Sequence, residues 1–143
     1  MKLIYHDGGR AEAGYKGQTS DCVTRSIAIA TGKSYQEVYD AINELAKKER
    51  KSKRKRGKSN ARTGVYKNTY KRYLASIGWK WIPTMLIGQG CKVHLNENEL
   101  PSKGRLIVKV SKHLTTVIDG KLYDTYDCTR NGKRCVYGYF IKE

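Results

Sequence analysis

The apolar pattern of the chain changes period once, at Gly78, and that change limits the fold more than any other feature. Before it, apolar residues recur every three or four positions, the repeat of a helix face; after it they alternate or gather in short runs, as strands do. Three helices are expected first. One starts at Ser20 or Asp21, either able to cap, and runs through Val23, Ile27, Ala28, Ile29 and Ala30 to a stop at Gly32. The next opens on the capping box Ser34-Tyr35-Gln36-Glu37 and presents Tyr35, Val38, Ile42 and Leu45. The third carries Val65, Tyr66, Tyr70, Tyr73, Leu74 and Ile77, a spacing that assigns its tyrosines to core contact rather than to base stacking. Strands are expected at 79–83, 106–110, 113–118, 121–126, 126–130 and 133–140, with hairpin turns at Asp119-Gly120 and Asn131-Gly132. Helices followed by an antiparallel meander make a single α+β domain over residues 1–143.

Charge is the next constraint. The 143 residues carry 29 Lys and Arg against 13 Asp and Glu, a formal charge of +16. Much of the excess sits in a basic insertion at 47–62, where Lys51, Lys53, Arg54, Lys55, Arg56 and Lys58 are the densest part. Such a run is either a solvated loop or a contact for nucleic acid or another polyanion. A non-enzymatic nucleic-acid binder is therefore the alternative to the catalytic reading below. No segment approaches the roughly 20 apolar residues of a membrane span, and the N-terminus has no apolar run of signal-peptide length. A soluble, cytoplasmic protein without membrane partners is expected, with its four cysteines reduced.

Cys22 stands at the start of the first helix, where unpaired amides and the positive end of the helix dipole favour a thiolate. A neighbouring carboxylate at Asp21 would oppose this if it approached the sulfur. The Asp119-Gly120 turn fixes a hairpin register that pairs Ile118 with Lys121, Val117 with Leu122, Thr115 with Asp124 and His113 with Tyr126. His113 and Asp124 then share a face and lie diagonally across from each other, within reach of a hydrogen bond. An imidazole held by a carboxylate leaves its other nitrogen for a thiol. Taken singly, Cys22 also reads as a small core residue, His113 as a strand-start residue facing water, and Asp124 as a carboxylate bonded to its own turn.

Cys22 after Gly17-Gln18-Thr19-Ser20-Asp21, followed far downstream by His113-Leu114-Thr115-Thr116-Val117-Ile118-Asp119-Gly120-Lys121-Leu122-Tyr123-Asp124-Thr125, resembles the Cys, His, Asp/Asn order of the papain-like cysteine peptidase superfamily. It is similar in particular to small papain-like proteins of unassigned role encoded by bacteriophages. The resemblance covers 18–25 and 113–127 by motif. It implies a papain-like α+β fold with Cys22 as nucleophile, His113 as general base and acid, Asp124 as orienting residue and Gln18 as oxyanion donor. Three residues separate Gln18 from Cys22, where papain has five. The implied activity is thiol-dependent acyl transfer on a peptide or protein substrate, by default amide hydrolysis, without cofactor or metal. Transglutaminase-type chemistry and an inactive relative share the same fold. A phage origin would place the protein in the cytoplasm of a bacterial host.

The remaining cysteines allow a second grouping. Cys128 and Cys135 fall opposite each other across a two-residue Asn131-Gly132 turn, and Cys91 and His94 add a third sulfur and an imidazole. Zinc or a cross-strand disulfide would use them. Neither half has a Cys-x-x-Cys knuckle and nothing in the sequence brings Cys91 to the hairpin, so two unlinked strand cysteines are the expectation.

Overall fold

A computed structural model describes residues 1–17, 19–50 and 57–143. Its elements are β1 (Leu3–Tyr5), α1 (Cys22–Thr31), α2 (Tyr35–Ala46), α3 (Lys67–Ser76), β2 (Trp79–Pro83), β3 (Arg105–Val110), β4 (His113–Ile118), β5 (Lys121–Asp124) and β6 (Val136–Lys142). The strands form one mixed six-stranded sheet in the order β1-β5-β4-β3-β6-β2, so the protein is α+β. Among the described residues no helix is long and apolar enough to cross a membrane.

Two helix boundaries follow the expected signals, while α3 is shorter than its apolar pattern and leaves Val65, Tyr66 and Ile77 outside it. Ser34 caps α2 by accepting from the Glu37 amide at 3.1 Å, and Gly32, left-handed at φ 75°, closes α1 by donating to the Ala28 carbonyl at 3.0 Å. Asp119 and Gly120 both adopt positive φ, as a tight hairpin turn requires, and β4 pairs with β5 in the register Ile118 to Lys121 and Val117 to Leu122.

The sheet is not a pure antiparallel meander. β1 runs parallel to β5, with Leu3 beside Leu122 and Tyr5 beside Asp124. Three residues are too few to display an alternating pattern, which is why the sequence does not announce this strand. The stretch 126–130 is not a strand either. Asp127 accepts from the Thr129 amide at 2.9 Å and from its hydroxyl at 2.7 Å, a local side-chain bond that competes with sheet pairing. The Asn131-Gly132 turn does form, with the Lys133 amide bonded to Arg130 O and the Arg134 amide to Thr129 O, but the chain diverges beyond it.

Alternation along the strands divides the core in two. Ile107, Leu114 and Phe140 face the helices and pack with Val23, Ile27, Val38, Ile42, Tyr70 and Leu74. Leu106, Val108, Val110, Val117 and Leu122 face the other way, under Leu95 and Leu100 of the 93–100 segment. Two bonds fasten α1 to β4: Ser26 Oγ donates to Leu114 O at 2.7 Å, and Thr116 Oγ1 donates to Ser26 O at 2.8 Å. Ser26 lies one turn beyond Cys22 on the same helix face, so this clamp brings the N-terminus of α1 to the start of β4. Trp79 is core, and Trp81 packs on Phe140 beneath Lys67 and Lys71.

Candidate active site

Cys22 is the first residue of α1, and the first backbone bond of the helix runs from the Arg25 amide to Asp21 O at 2.9 Å. The amides before Arg25 have no intrahelical acceptor and present the positive end of the helix at the sulfur. Asp21 does not oppose this. Its carboxylate is buried and turned away, accepting from Arg25 Nη1 at 2.6 Å, Thr19 Oγ1 at 2.8 Å and Tyr35 OH at 2.7 Å. It makes no side-chain cap of the kind expected for it.

His113 opens β4, and its Nε2 lies 2.8 Å from Asp124 Oδ2. An ionised carboxylate only accepts, so Nε2 carries the proton and Nδ1 is the nitrogen left for a thiol. The same Asp124 oxygen accepts from Thr115 Oγ1 at 2.7 Å, and its partner oxygen accepts from the Thr125 amide at 2.7 Å and Arg25 Nη2 at 3.1 Å. Both residues are buried. The Tyr126 ring lies 5.3 Å from the His113 ring, centre to centre, and is tilted against it by 51°.

The three groups titrate as a connected set. Burial alone would raise the Cys22 thiol, but the hydrogen bond and charge of His113, the Leu114 backbone and the Arg25 guanidinium outweigh it and hold the thiol below its ordinary value. Burial alone would lower the His113 imidazole, yet hydrogen bonds to Asp124, Cys128 and Cys22 raise it overall. Burial opposes ionisation of Asp124 as well, and the contacts with His113, Thr115 and Thr125 bring it down to about 2. A lowered thiol beside a raised imidazole shifts the pair toward thiolate and imidazolium.

Cys22 and His113 line one groove of about 240 Å³, walled also by Gly64, Val65, Tyr70 and the β3–β4 turn. Larger hollows lie beneath Trp79 and Arg105, and between Arg50 and Arg72, but neither is lined by a cysteine or a histidine. Of the residues proposed from sequence, Cys22, His113 and Asp124 thus come together. Gln18 and the basic residues Lys51, Lys53, Arg54, Lys55 and Arg56 lie outside the described residues. Lys58 is exposed and donates to Lys47 O at 3.1 Å, just past the end of α2.

Two participants went unread in the sequence. Arg25 joins Asp21 to Asp124 and so ties the helix that carries the thiol to the strand that carries the carboxylate. It is the one charge inside the apolar run 22–31, and that anomaly was the available signal. Cys128 is buried with its sulfur 3.6 Å from Asp124 Oδ2. His113, Asp124 and Cys128 offer ligand atoms within 4.8 Å of one another. The Arg25 guanidinium on the same carboxylate opposes a cation there, and His113 Nε2 is already committed to Asp124.

The cysteine assignments need correction. Cys128 does not face Cys135; instead Cys135 is disulfide-bonded to Cys91, with Cα atoms 5.8 Å apart, so these two are not reduced. The cause is a short pairing inside what reads as a loop. Leu95 N donates to Arg134 O and Val136 N to Val93 O, both at 2.8 Å, which lays 93–95 along 134–136 and brings Cys91 within reach. Comparison with known proteins adds no assignment: no family model, no curated protein and no solved structure matches the chain.

Proposed function

We propose that the protein is a thiol-dependent acyl-transfer enzyme with a papain-like arrangement, in which Cys22 is the nucleophile, His113 the general acid and base, and Asp124 the residue that orients His113. The observation that carries this reading is the buried His113–Asp124 bond at one end of a groove whose wall holds a helix-start thiol with a lowered pKa.

The chemistry follows from the arrangement. The Cys22 thiolate attacks an amide carbonyl carbon, and the oxygen becomes an oxyanion beside the Cys22 amide, one donor of an oxyanion site. The imidazolium of His113 gives its Nδ1 proton to the leaving amine as the C–N bond breaks, leaving a thioester on Cys22 and a neutral imidazole. Water then attacks the thioester, His113 takes its proton, and a carboxylic acid departs with the thiolate restored. Asp124 remains ionised throughout; Arg25 and Thr115 hold its two oxygens while it stabilises the imidazolium.

The test is to capture the thioester. Incubation with a panel of activated esters and peptide amides, followed by acid quench and intact-mass measurement, should reveal an acyl adduct that maps to Cys22. The adduct should be absent in Cys22→Ala and should form slowly in His113→Ala. No adduct on Cys22 from any activated ester would refute the proposal.

A further inference from the structure

The groove beside Cys22 carries positive charge that the hydrolytic mechanism does not use. Lys109 lies inside β3, paired with Leu114 on one side and Gly138 on the other, and its place in the alternation puts it on the helix-facing side with Ile107. That position normally holds an apolar residue. Lys109 is half-buried, and no carboxylate among the described residues lies within ion-pair distance of it. Burial, with Lys67 and Arg134 nearby, disfavours its charge, and the Cys22 sulfur favours it. Lys112 joins it from the β3–β4 turn, held at φ 56°, a conformation uncommon for a lysine. Lys109 and Lys112 both line the groove, and among the described residues no Asp or Glu does. Tyr70 also lines it, and its hydroxyl is buried with no hydrogen-bond partner among the described residues. A half-buried cation and an unmet phenol beside a nucleophile together lack a ligand that is anionic and accepts hydrogen bonds.

We infer that the Cys22 groove selects acyl substrates bearing a carboxylate next to the scissile carbonyl, with Lys109 and Lys112 as its specificity residues. This rests on Cys22 being the acyl-accepting group, and it specifies the substrate class of that site. The carboxylate meets the lysine ammoniums while the carbonyl carbon reaches the sulfur, so a neutral or basic neighbour leaves Lys109 unpaired and is disfavoured.

Two measurements separate this inference from the hydrolase reading. The first is the rate of Cys22 alkylation by iodoacetate relative to iodoacetamide, in the wild type and in Lys109→Met and Lys112→Met. Met keeps the packed stem of lysine and removes its charge. The His113 imidazolium also attracts iodoacetate, so the readout is the change in ratio on substitution. The ratio should fall by about tenfold in the double variant. An unchanged ratio would overturn the inference and leave the hydrolase reading intact. The second is cleavage of peptide amides with Glu, Gln or Lys beside the scissile bond, and of a peptide whose carboxylate is a free or amidated C-terminus. Preference for Glu over Gln, lost in Lys109→Met, is the expected result for a side-chain carboxylate; preference for the free over the amidated terminus assigns the groove to chain ends. Cleavage indifferent to all of these charges would refute the inference. An alkylation ratio that responds as expected while no amide is cleaved would support the anion site and sink the hydrolase reading.

Discussion

Two corners of the molecule bring a cysteine, a histidine and a carboxylate together, and they do different things. At the α1–β4–β5 corner, Cys22, His113 and Asp124 come from a helix start and two strands, with His113 and Asp124 side chains only 8% and 2% exposed. At the 91–99 loop, Cys91 Sγ lies 3.5 Å from His94 Nε2, and His94 Nδ1 lies 3.0 Å from Glu99 Oε1, with those side chains 37% and 35% exposed. The second trio has the order of a catalytic set and lacks its surroundings. Its sulfur is tied to Cys135, and its His94–Glu99 contact is partly exposed to water, where such contacts contribute little. In the first, the carboxylate is held by Thr115, Thr125 and Arg25, and burial makes each of those bonds count. Residue inventory does not make a site; fixed and desolvated partners do.

The sharpest way to break this contrast is to delete each sulfur. Cys22→Ala should reduce acyl-transfer turnover by about 10⁴-fold or more with the fold retained. The paired Cys91→Ser and Cys135→Ser substitutions should leave kcat/KM unchanged. Circular dichroism of each variant checks the fold, and comparable losses in both would erase the distinction between the corners.

Deleting the carboxylates comes next. Asp124→Asn leaves Arg25 and His113 buried with a weakened partner, and chemical denaturation should record a loss of about 3–5 kcal/mol. Glu99→Gln should leave the unfolding midpoint where it is. Reducing the Cys91–Cys135 bond releases a loop whose ends are 44 residues apart, a loss of about 4 kcal/mol by chain entropy. Turnover per folded molecule should survive that reduction, because neither Cys91 nor Cys135 lines the Cys22 groove.

The smallest effect is the pH dependence. Asp124 is held near 2 in the folded protein, below its unfolded value of 3.8, so its stabilising contribution is present above that unfolded value and is lost as pH falls toward 2. His113 is raised, so its contribution is full below about 6.5 and fades as pH climbs through the elevated value. Both describe one ion pair. Acid titration of the unfolding free energy should show a decline of about 2 kcal/mol between pH 4 and 2 that Asp124→Asn lacks.

These contrasts also explain what the chain disclosed in advance. The Asp119-Gly120 turn pins a register, and a register places His113 beside Asp124 without any knowledge of the rest. The Ser34 cap and the α1 stop at Gly32 are equally local and equally legible. Three features depend on pairing between distant segments, and these escape: β1 against β5, the 93–95 segment against 134–136, and the disulfide that the latter permits. Short strands carry too few residues to show a period. Arg25 could be seen as out of place in an apolar helix, but its second partner, Asp124, lies 99 positions away and only the fold supplies it.

The central claim is that His113 holds the Cys22 thiol below its ordinary pKa. The direct measurement is the rate of Cys22 alkylation by iodoacetamide across pH 4–10, resolved by peptide mass spectrometry against the buried Cys128, in the wild type and in His113→Ala. The wild-type profile should rise with a midpoint clearly below the usual thiol value of about 8.5, and His113→Ala should move that midpoint upward. A Cys22 profile that follows an ordinary thiol, or that is indifferent to His113, would contradict it.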